Sequence, residues 1–424
     1  MISISRVRTV AIGRAKAGVR RLWASPAYAK LLVLHDRVAA RPASRVLPAE
    51  RRDRVVLVSP SGRGNIGDQA MFEAILANTD GAIDIVLHSS NSLRVPVSDL
   101  HRVRLHVLPR LVRGGLIRRI PDVRSFAALA GSASEVMVPG ADTIDGGHAH
   151  ASLARLSLVV LAHDAGAAAR VQGFSWSDHV PASVTTLMRS VAKRALVFPR
   201  DPRAVERLQA SHVAPITPAA DVVFSYRREA DLSADLQSWL DSQKEAGRRV
   251  VALNVSGFIA RNKDLLDEYV TVVSHLRSRD VSVLFVPHVL RAGDSDLVAI
   301  RHVVERVGLG EDFLIENQLS PAQVQTVARG CACVITGRMH FAIMSLSNAV
   351  PAVTLATVGK VEGLYDMFSL PELVVQPAPG MAESIVNALE SVLADRTSFA
   401  STISSSLGRV QELSARNFDA GGSH

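Results

Sequence analysis

The chain has 424 residues, 48% of them apolar, 21% charged and 4% aromatic, a balance that suits a folded, Ala/Val/Leu-rich α/β protein. That length is too great for one ordinary core and points to two domains of about one to two hundred residues each. The formal charge is +8, but residues 1–54 hold 13 Lys/Arg against 3 Asp/Glu and the rest is nearly neutral. With no aromatic-studded basic face, this distribution argues against a nucleic-acid-binding protein.

In chain order, residues 1–50 read as a basic amphipathic leader. Three readings stay open for it: a solvated helix packed on the body, a partly disordered leader, or a helix lying on an anionic membrane face. No continuous apolar core precedes a small-residue cleavage site, so no signal peptide is expected. From residue 54, short β-rich runs ("RVVLVS", "IDIVLH", "SEVMVP", "AARVQGF", "RALVFPR", "ADVVFS") alternate with helical stretches ("DQAMFEAILAN", "HASLARLSLVVLAHDAG", "SVTTLMRSVAKR", "DPRAVERLQA"). Such alternation predicts a parallel sheet with helices on both faces. The arginine-rich 102–120 stretch reads as a solvated face, or as a cradle for an anionic lipid-linked acceptor.

A charged segment around 228–246 marks the inter-domain connection, and a second series follows: "RRVVALNVS", "VSVLFVPH", "DFLIE", "CACVITG" and "PAVTLAT". Helices such as "LLDEYVTVVSHLRSR" and "SPAQVQTVARG" separate these strands. The uncharged run 341–359 is split by Asn348 and Pro351 into a helix and a strand, so no membrane span is expected and the chain reads as soluble. Cys331 and Cys333 fit a buried strand, and two thiols alone make no zinc site, which favours a reducing, cytoplasmic setting. The expected architecture is two Rossmann-like domains facing a cleft (GT-B-like). A leader covers 1–50, an N-terminal acceptor-side domain 51–240, a C-terminal donor-side domain 245–385 and a helical tail 386–424. Ligands in such sheets sit at the carboxyl ends of strands.

Residues 62–67, "GRGNIG", match the G-x-G-x-x-G pattern. A dinucleotide site also needs a carboxylate at the end of the second strand, but there Asp84 stands at the start and the strand ends in His and Ser. The alternatives are a simple strand-to-helix turn capped by Asp68 and an anion- or hydroxyl-binding turn.

"GNIGDQAMFEAIL" and "CVITGRMHFAIMSLSNAVPAVTL" together resemble the polysaccharide pyruvyl transferase family, which pairs a G-N-x-G-D turn with a later R-x-H and helix. "ALVFPRDPRAVERL", "SVLFVPHVLRAGDSD" and Lys360 with Gly363-Leu364 fit further segments, so the resemblance runs in order from about 55 to 370 and leaves out the leader. The chain departs from the family's pattern at Ala204, at "PGADTIDGG" in place of a G-G-G loop, and in lacking a Y-D before the lysine.

The resemblance implies transfer of pyruvate from phosphoenolpyruvate, as co-substrate, onto a sugar or glycolipid acceptor, with no cofactor. A donor bearing phosphate and carboxylate calls for fixed cations, and Arg338, Arg200 and Lys360 follow predicted strands. Ketal formation needs a proton for the enol carbon and a base for the hydroxyl. His340 is expected to serve with Arg338, and His288 is either a pocket residue or a support behind it. Gly64, Asn65, Asp68 and Asp142 are the expected acceptor residues. "DTIDGGHAH" (142–150) has two Asp and two His with no register aligning all four, so no metal is assigned. Two rivals remain: a GT-B-type glycosyltransferase using a nucleotide sugar, for which Glu362 would hold the ribose, and a non-catalytic glycan-binding or scaffold homologue.

Overall fold

The computed structural model describes residues 21–41, 53–60, 62, 64–263, 265–356 and 359–419. Two six-stranded sheets organise the chain. The first contains β1 (Arg54–Val58), β2 (Ala82–Leu87), β3 (Val103–Val107), β4 (Ala133–Ala141), β5 (Ala168–Phe174) and β6 (Leu196–Pro199), in the order β3-β2-β1-β4-β5-β6. All its pairs are parallel; Val56 faces Asp84 on one side and Val136 on the other. The second contains β7 (Arg249–Leu253) and β8 (Val281–Phe285). A small ribbon follows, formed by β9 (Leu290–Arg291) and β10 (Asp294–Ser295). β11 (Phe313–Leu314), β12 (Cys333–Thr336), β13 (Ala352–Leu355) and β14 (Val374–Val375) complete the sheet in the order β11-β8-β7-β12-β13-β14. The sequence reading of two parallel Rossmann-like sheets therefore holds.

Both sheets share one permutation, so each has a switch point where the strand order reverses: β1/β4 in the first, β7/β12 in the second. Crevices open at such points beyond the carboxyl ends of the strands. Runs such as Val56–Val58 and Val281–Phe285 bury both faces, as strands covered by helices on either side must. Helix Ile66–Ala77 is apolar nearly all round because it is covered twice. Its Phe72 and Ile75 lie in one continuous core with Phe341 and Ile343 of the second domain. Its one buried acid in mid-helix, Glu73, accepts a 2.7 Å bond from Tyr226 Oη. Helix Pro321–Gly330 shows local sequence at work: Ser320 Oγ accepts from Gln323 N at 3.2 Å, and Gln323 Oε1 accepts from Ser320 N at 3.0 Å.

Several expectations need correction. "ADVVFS" is no strand; Val222–Ser225 form a 3-10 turn whose N-cap Asp221 accepts from Val223 N at 3.0 Å. The 102–120 stretch is not a solvated face throughout, because Val103–Val107 pair with β2 as an edge strand and Arg119 is fully buried beside Asp36 at 3.2 Å. Helix Ile120–Gly131 follows directly. The leader boundary at residue 50 also fails as a domain limit. Helix Pro26–Ala40 sends Tyr28, Ala29, Leu32 and Ala39 into the first domain's core, and its Asp36 accepts from Ser157 Oγ at 2.7 Å. Most other leader residues, 1–20 and 42–50, lie outside the described residues.

Helix Ala234–Glu245, within the expected connection, belongs to the second domain: Trp239 packs on Phe313 and donates to Glu311 O at 2.9 Å. The expected break at 385 falls inside helix Met381–Ala394, whose Ile385, Leu389 and Val392 are core residues. After helix Arg396–Ala415 the chain returns to the first domain, where Asn417 Oδ1 accepts from Gly173 N and its Nδ2 donates to Ala220 O. No helix among the described residues is long and apolar enough to cross a membrane.

Candidate active site

The second domain's switch point is built around a buried carboxylate that sequence reasoning missed. Asp296, fully buried, accepts from Gly257 N (3.0 Å), Asn254 Nδ2 (2.9 Å), His288 N (3.1 Å) and Val289 N (2.9 Å). Arg338, just past β12, lays its guanidinium on the same group, with Nη2 donating to Asp296 Oδ1 at 2.6 Å and to Asp294 Oδ1 at 2.7 Å. These two carboxylates hold the arginine in one pose and neutralise it in advance. The backbone N–H of Arg338 donates to Thr336 Oγ1 at 2.9 Å, which fixes the turn from β12 into helix Met339–Leu346.

His340 enters on the first turn of that helix. Its Nε2 lies 3.6 Å from Asp221 Oδ2, a carboxylate of the first domain. Burial would raise the Asp221 carboxyl, but His340 and Arg200 outweigh it and bring it down to about 2. His288, 1% exposed, stacks on Phe341 with ring centroids 5.8 Å apart, and neither ring nitrogen has a partner. Burial, with His340 and Arg338 adding to it, holds His288 well below the ordinary histidine value, so its ring is neutral.

From the first domain, β4 ends at Ala141, whose φ of 43° turns the chain so that Asp142 faces the cleft. Asp142 Oδ1 accepts from Arg200 Nη2 at 2.6 Å, and its other oxygen takes Lys360 from across the cleft. Burial raises the Asp142 carboxyl, yet Lys360 and Arg200 together hold it well below the usual range. Arg200 is itself buried: Nε donates to Ser175 Oγ (2.8 Å) and Nη1 to Asp221 Oδ2 (2.8 Å). Arg200, expected to bind the donor, is the hub that fixes Asp142, Asp221 and Ser175.

The glycine turn also departs from expectation. Asn65, not Asp68, is the N-cap of helix Ile66–Ala77, accepting from Gly67 N at 3.0 Å. Asp68 reaches back to take Gly62 N at 2.9 Å. Leu290 N donates to Gly64 O and Ile66 N to His288 O, which straps the turn to the second domain. Gly64 has φ +73°, and a Cβ there would lie 2.2 Å from Leu290 O. At Gly67 a Cβ would lie 2.3 Å from His340 Nδ1, so the turn's last glycine lets the histidine ring approach.

Thus Arg338, His340, His288, Arg200, Lys360, Asp142, Asp68 and Gly67 converge, and Asp221 and Asp296 join them. The cavity between Arg200, Asp221, Met339 and Lys360 holds only about 10 Å³, too small for more than one water. In the 142–150 loop the side chains go separate ways: Asp145 accepts from Gly147 N, and His150 bonds Tyr28 Oη and Gly114 O. No group of three or more His, Cys, Asp or Glu among the described residues is placed to hold a metal. Cys331 and Cys333 are free and buried, and burial pushes both thiols up to about 12.

Twin sheets of one strand order, with a charged cleft between their carboxyl ends, define the GT-B fold. The fold is shared with a UDP-N-acetylglucosamine 2-epimerase-like protein from Listeria monocytogenes (TM-score 0.60, 12% identity, 86% of this chain and 94% of that one). It is shared too with sucrose-phosphate synthase from Thermosynechococcus elongatus (TM-score 0.54, 13% identity, 85% and 95%) and with Anabaena HepE bound to UDP (TM-score 0.55, 10% identity, 86% and 96%). No curated protein sequence matches the chain. The polysaccharide pyruvyl transferase family profile matches residues 65–357, from the glycine turn through β13, and the chain belongs to that family.

Proposed function

We propose that the protein transfers pyruvate from phosphoenolpyruvate to two hydroxyls of a glycan as a cyclic ketal, releasing phosphate. The observation that carries this reading is the joining of Arg338, His340, Lys360 and Arg200 around one closed cleft in a chain of this family. The donor's C3 takes a proton from His340, which makes C2 electrophilic. One acceptor oxygen bonds to C2, the C2–phosphate bond breaks, and the second oxygen bonds to C2; the two hydroxyl protons replace the one used and leave with phosphate or solvent. Asp221 orients the His340 ring, and Arg200 keeps Asp221 ionised and in place. Asp142, its side chain 48% exposed, occupies the cations that an anionic donor needs. In this reading the donor's charged groups displace Asp142 from Lys360 and Arg200, while Arg338 keeps its pose on Asp296.

A nucleotide-sugar donor is the second reading, because Glu362 Oε2 is buried without a partner on helix Lys360–Asp366. Thermal shift separates the two. Stabilisation by phosphoenolpyruvate and none by UDP-sugars supports pyruvyl transfer; the reverse supports glycosyl transfer.

Peripheral contact with an anionic membrane at its inner face also belongs to this proposal. Leu31, Leu34 and Val38 stand exposed at i, i+3 and i+7 of helix Pro26–Ala40, within the strongly basic leader. Deleting 1–48 would also strip Tyr28 and Leu32 from the core, so the surface triple Leu31→Asn/Leu34→Asn/Val38→Asn is the cleaner test. It should lose binding to anionic vesicles and keep turnover on a soluble acceptor; undiminished vesicle binding would refute the contact.

A further inference from the structure

We propose that the carboxyl ends of β1, β2 and β3 form a second anion site, in which Arg155, Arg113 and His88 hold a phosphate or diphosphate attached to the glycan acceptor. The inference rests on the pyruvyl-transfer reading for the identity of the acceptor, but its charge chemistry stands on the first domain alone. Arg155 lies on helix Ala149–Asp164, only 4% exposed. Its Nη2 donates to Ser59 O at 3.2 Å, just past β1, while Nε and Nη1 are buried with no partner. A buried guanidinium whose donors are unmet is costly, and among the described residues Arg155 makes no ion pair.

The neighbours deepen the charge instead of cancelling it. Ser59 N donates to Val86 O and Leu108 N to Leu87 O, so the ends of the three strands stand side by side. His88 and Arg113, both exposed, follow β2 and β3 at that edge. Burial, with Arg113 adding to it and Asp68 opposing it, brings Arg155 down to about 10; burial, Arg113 and Arg155 all lower His88. Arg155, bonded to Ser59 O, and His88, next to the Leu87 whose carbonyl takes Leu108 N, thus stand at neighbouring strand ends, with Arg113 in the turn after β3. The nearby carboxylate is Asp68, one of whose oxygens is taken by Gly62 N and whose carboxyl burial holds above its ordinary value. Phosphate oxygens supply what is missing, because a guanidinium binds them bidentately.

The position suits an acceptor. Asp68 takes Gly62 N, close in the chain to the Ser59 that Arg155 bonds, and it follows Gly67, which faces the His340 ring. A sugar whose phosphate rests on Arg155 can extend past Asp68 toward His340. The shared chemistry is a diphosphate-linked sugar, whether carried by a polyprenol or by a nucleoside.

The test uses the full chain and inorganic diphosphate, titrated by calorimetry with phosphoenolpyruvate already saturating. The wild type should still bind diphosphate, and Arg113→Ala and Arg155→Gln should each weaken that binding tenfold or more. Arg113→Ala alters only an exposed side chain, so it carries the test if Arg155→Gln fails to fold. In turnover, the preference for a diphosphate-linked sugar over its phosphate-free methyl glycoside should drop tenfold or more in both variants. Polyprenol- and UDP-linked sugars run as parallel arms identify the carrier. Equal diphosphate affinity in all three proteins, or full displacement of diphosphate by phosphoenolpyruvate, would overturn the site. If the pyruvyl-transfer reading alone fails, phosphoenolpyruvate does not bind but the diphosphate arm still loses affinity in the variants.

Discussion

The two switch points share a strand order and differ in how their arginines are treated. At β7/β12, Arg338 is met by Asp294 and Asp296, and Asp296 is met in turn by three backbone N–H groups and Asn254. On the first domain, Arg155 has two buried nitrogens without partners, and Asp142 is half exposed and shared between two cations. The repeated topology therefore fixes where a ligand goes and leaves its chemistry to a few side chains. The second domain offers a rigid, pre-neutralised cradle; the first offers charge that a ligand must complete.

The largest effect that sharpens this contrast is on proton transfer. His340→Asn should lose about 10²–10⁴ in kcat while phosphoenolpyruvate affinity stays near normal, because a general acid acts only as the proton moves. Steady-state kinetics with an equilibrium binding titration checks this; near-normal turnover would make His340 a pocket wall. Arg338→Ala strands the buried Asp296 without its cation, a change worth about 3–5 kcal/mol of stability where one partner of a buried pair is removed. Denaturant unfolding should show that loss, and Arg338→Ala/Asp296→Asn should recover part of it. An equal loss in the double variant would mean that Asp296 serves the loop amides and not the arginine.

A smaller effect probes the seam between the domains. Gly67→Ala places a methyl 2.3 Å from His340 Nδ1, so the ring must shift. Turnover should fall while stability changes little, since alanine favours a helix by roughly 1 kcal/mol over glycine. The smallest effect is in the pH dependence. Because the folded-state value of His288 lies below its unfolded value, the unfolded chain takes the proton first, and stability falls as pH drops through about 6.5. His288→Phe, which keeps the stack on Phe341, should lessen that loss in melts between pH 7 and 5.

Much of this was legible in order along the chain. Dense β-branched runs marked most of the strands, and the R-x-H after "CVIT" placed Arg338 and His340 at the end of β12. β3 escaped because arginine and histidine occupy the half-exposed face of an edge strand. "ADVVFS" misled because a three-residue apolar run looks alike in a strand and in a turn buried between domains. Its leading Asp was a usable signal, since Asp at an N-cap starts a turn. What sequence could not give was the pairing: Arg338 with Asp296, Arg200 with Asp221, and Lys360 with Asp142 join residues distant in the chain and, for the last, opposite domains. A strand-end arginine reads as free until the acids that fold onto it are known.

The most direct measurement follows the donor's C2 carbon. Incubated with [2-13C]phosphoenolpyruvate and a glycan acceptor, the protein should yield a 13C signal for a quaternary ketal carbon, with one phosphate released per group transferred. His340→Asn should yield neither. Phosphoenolpyruvate left intact while a UDP-sugar is consumed under the same conditions would contradict pyruvyl transfer.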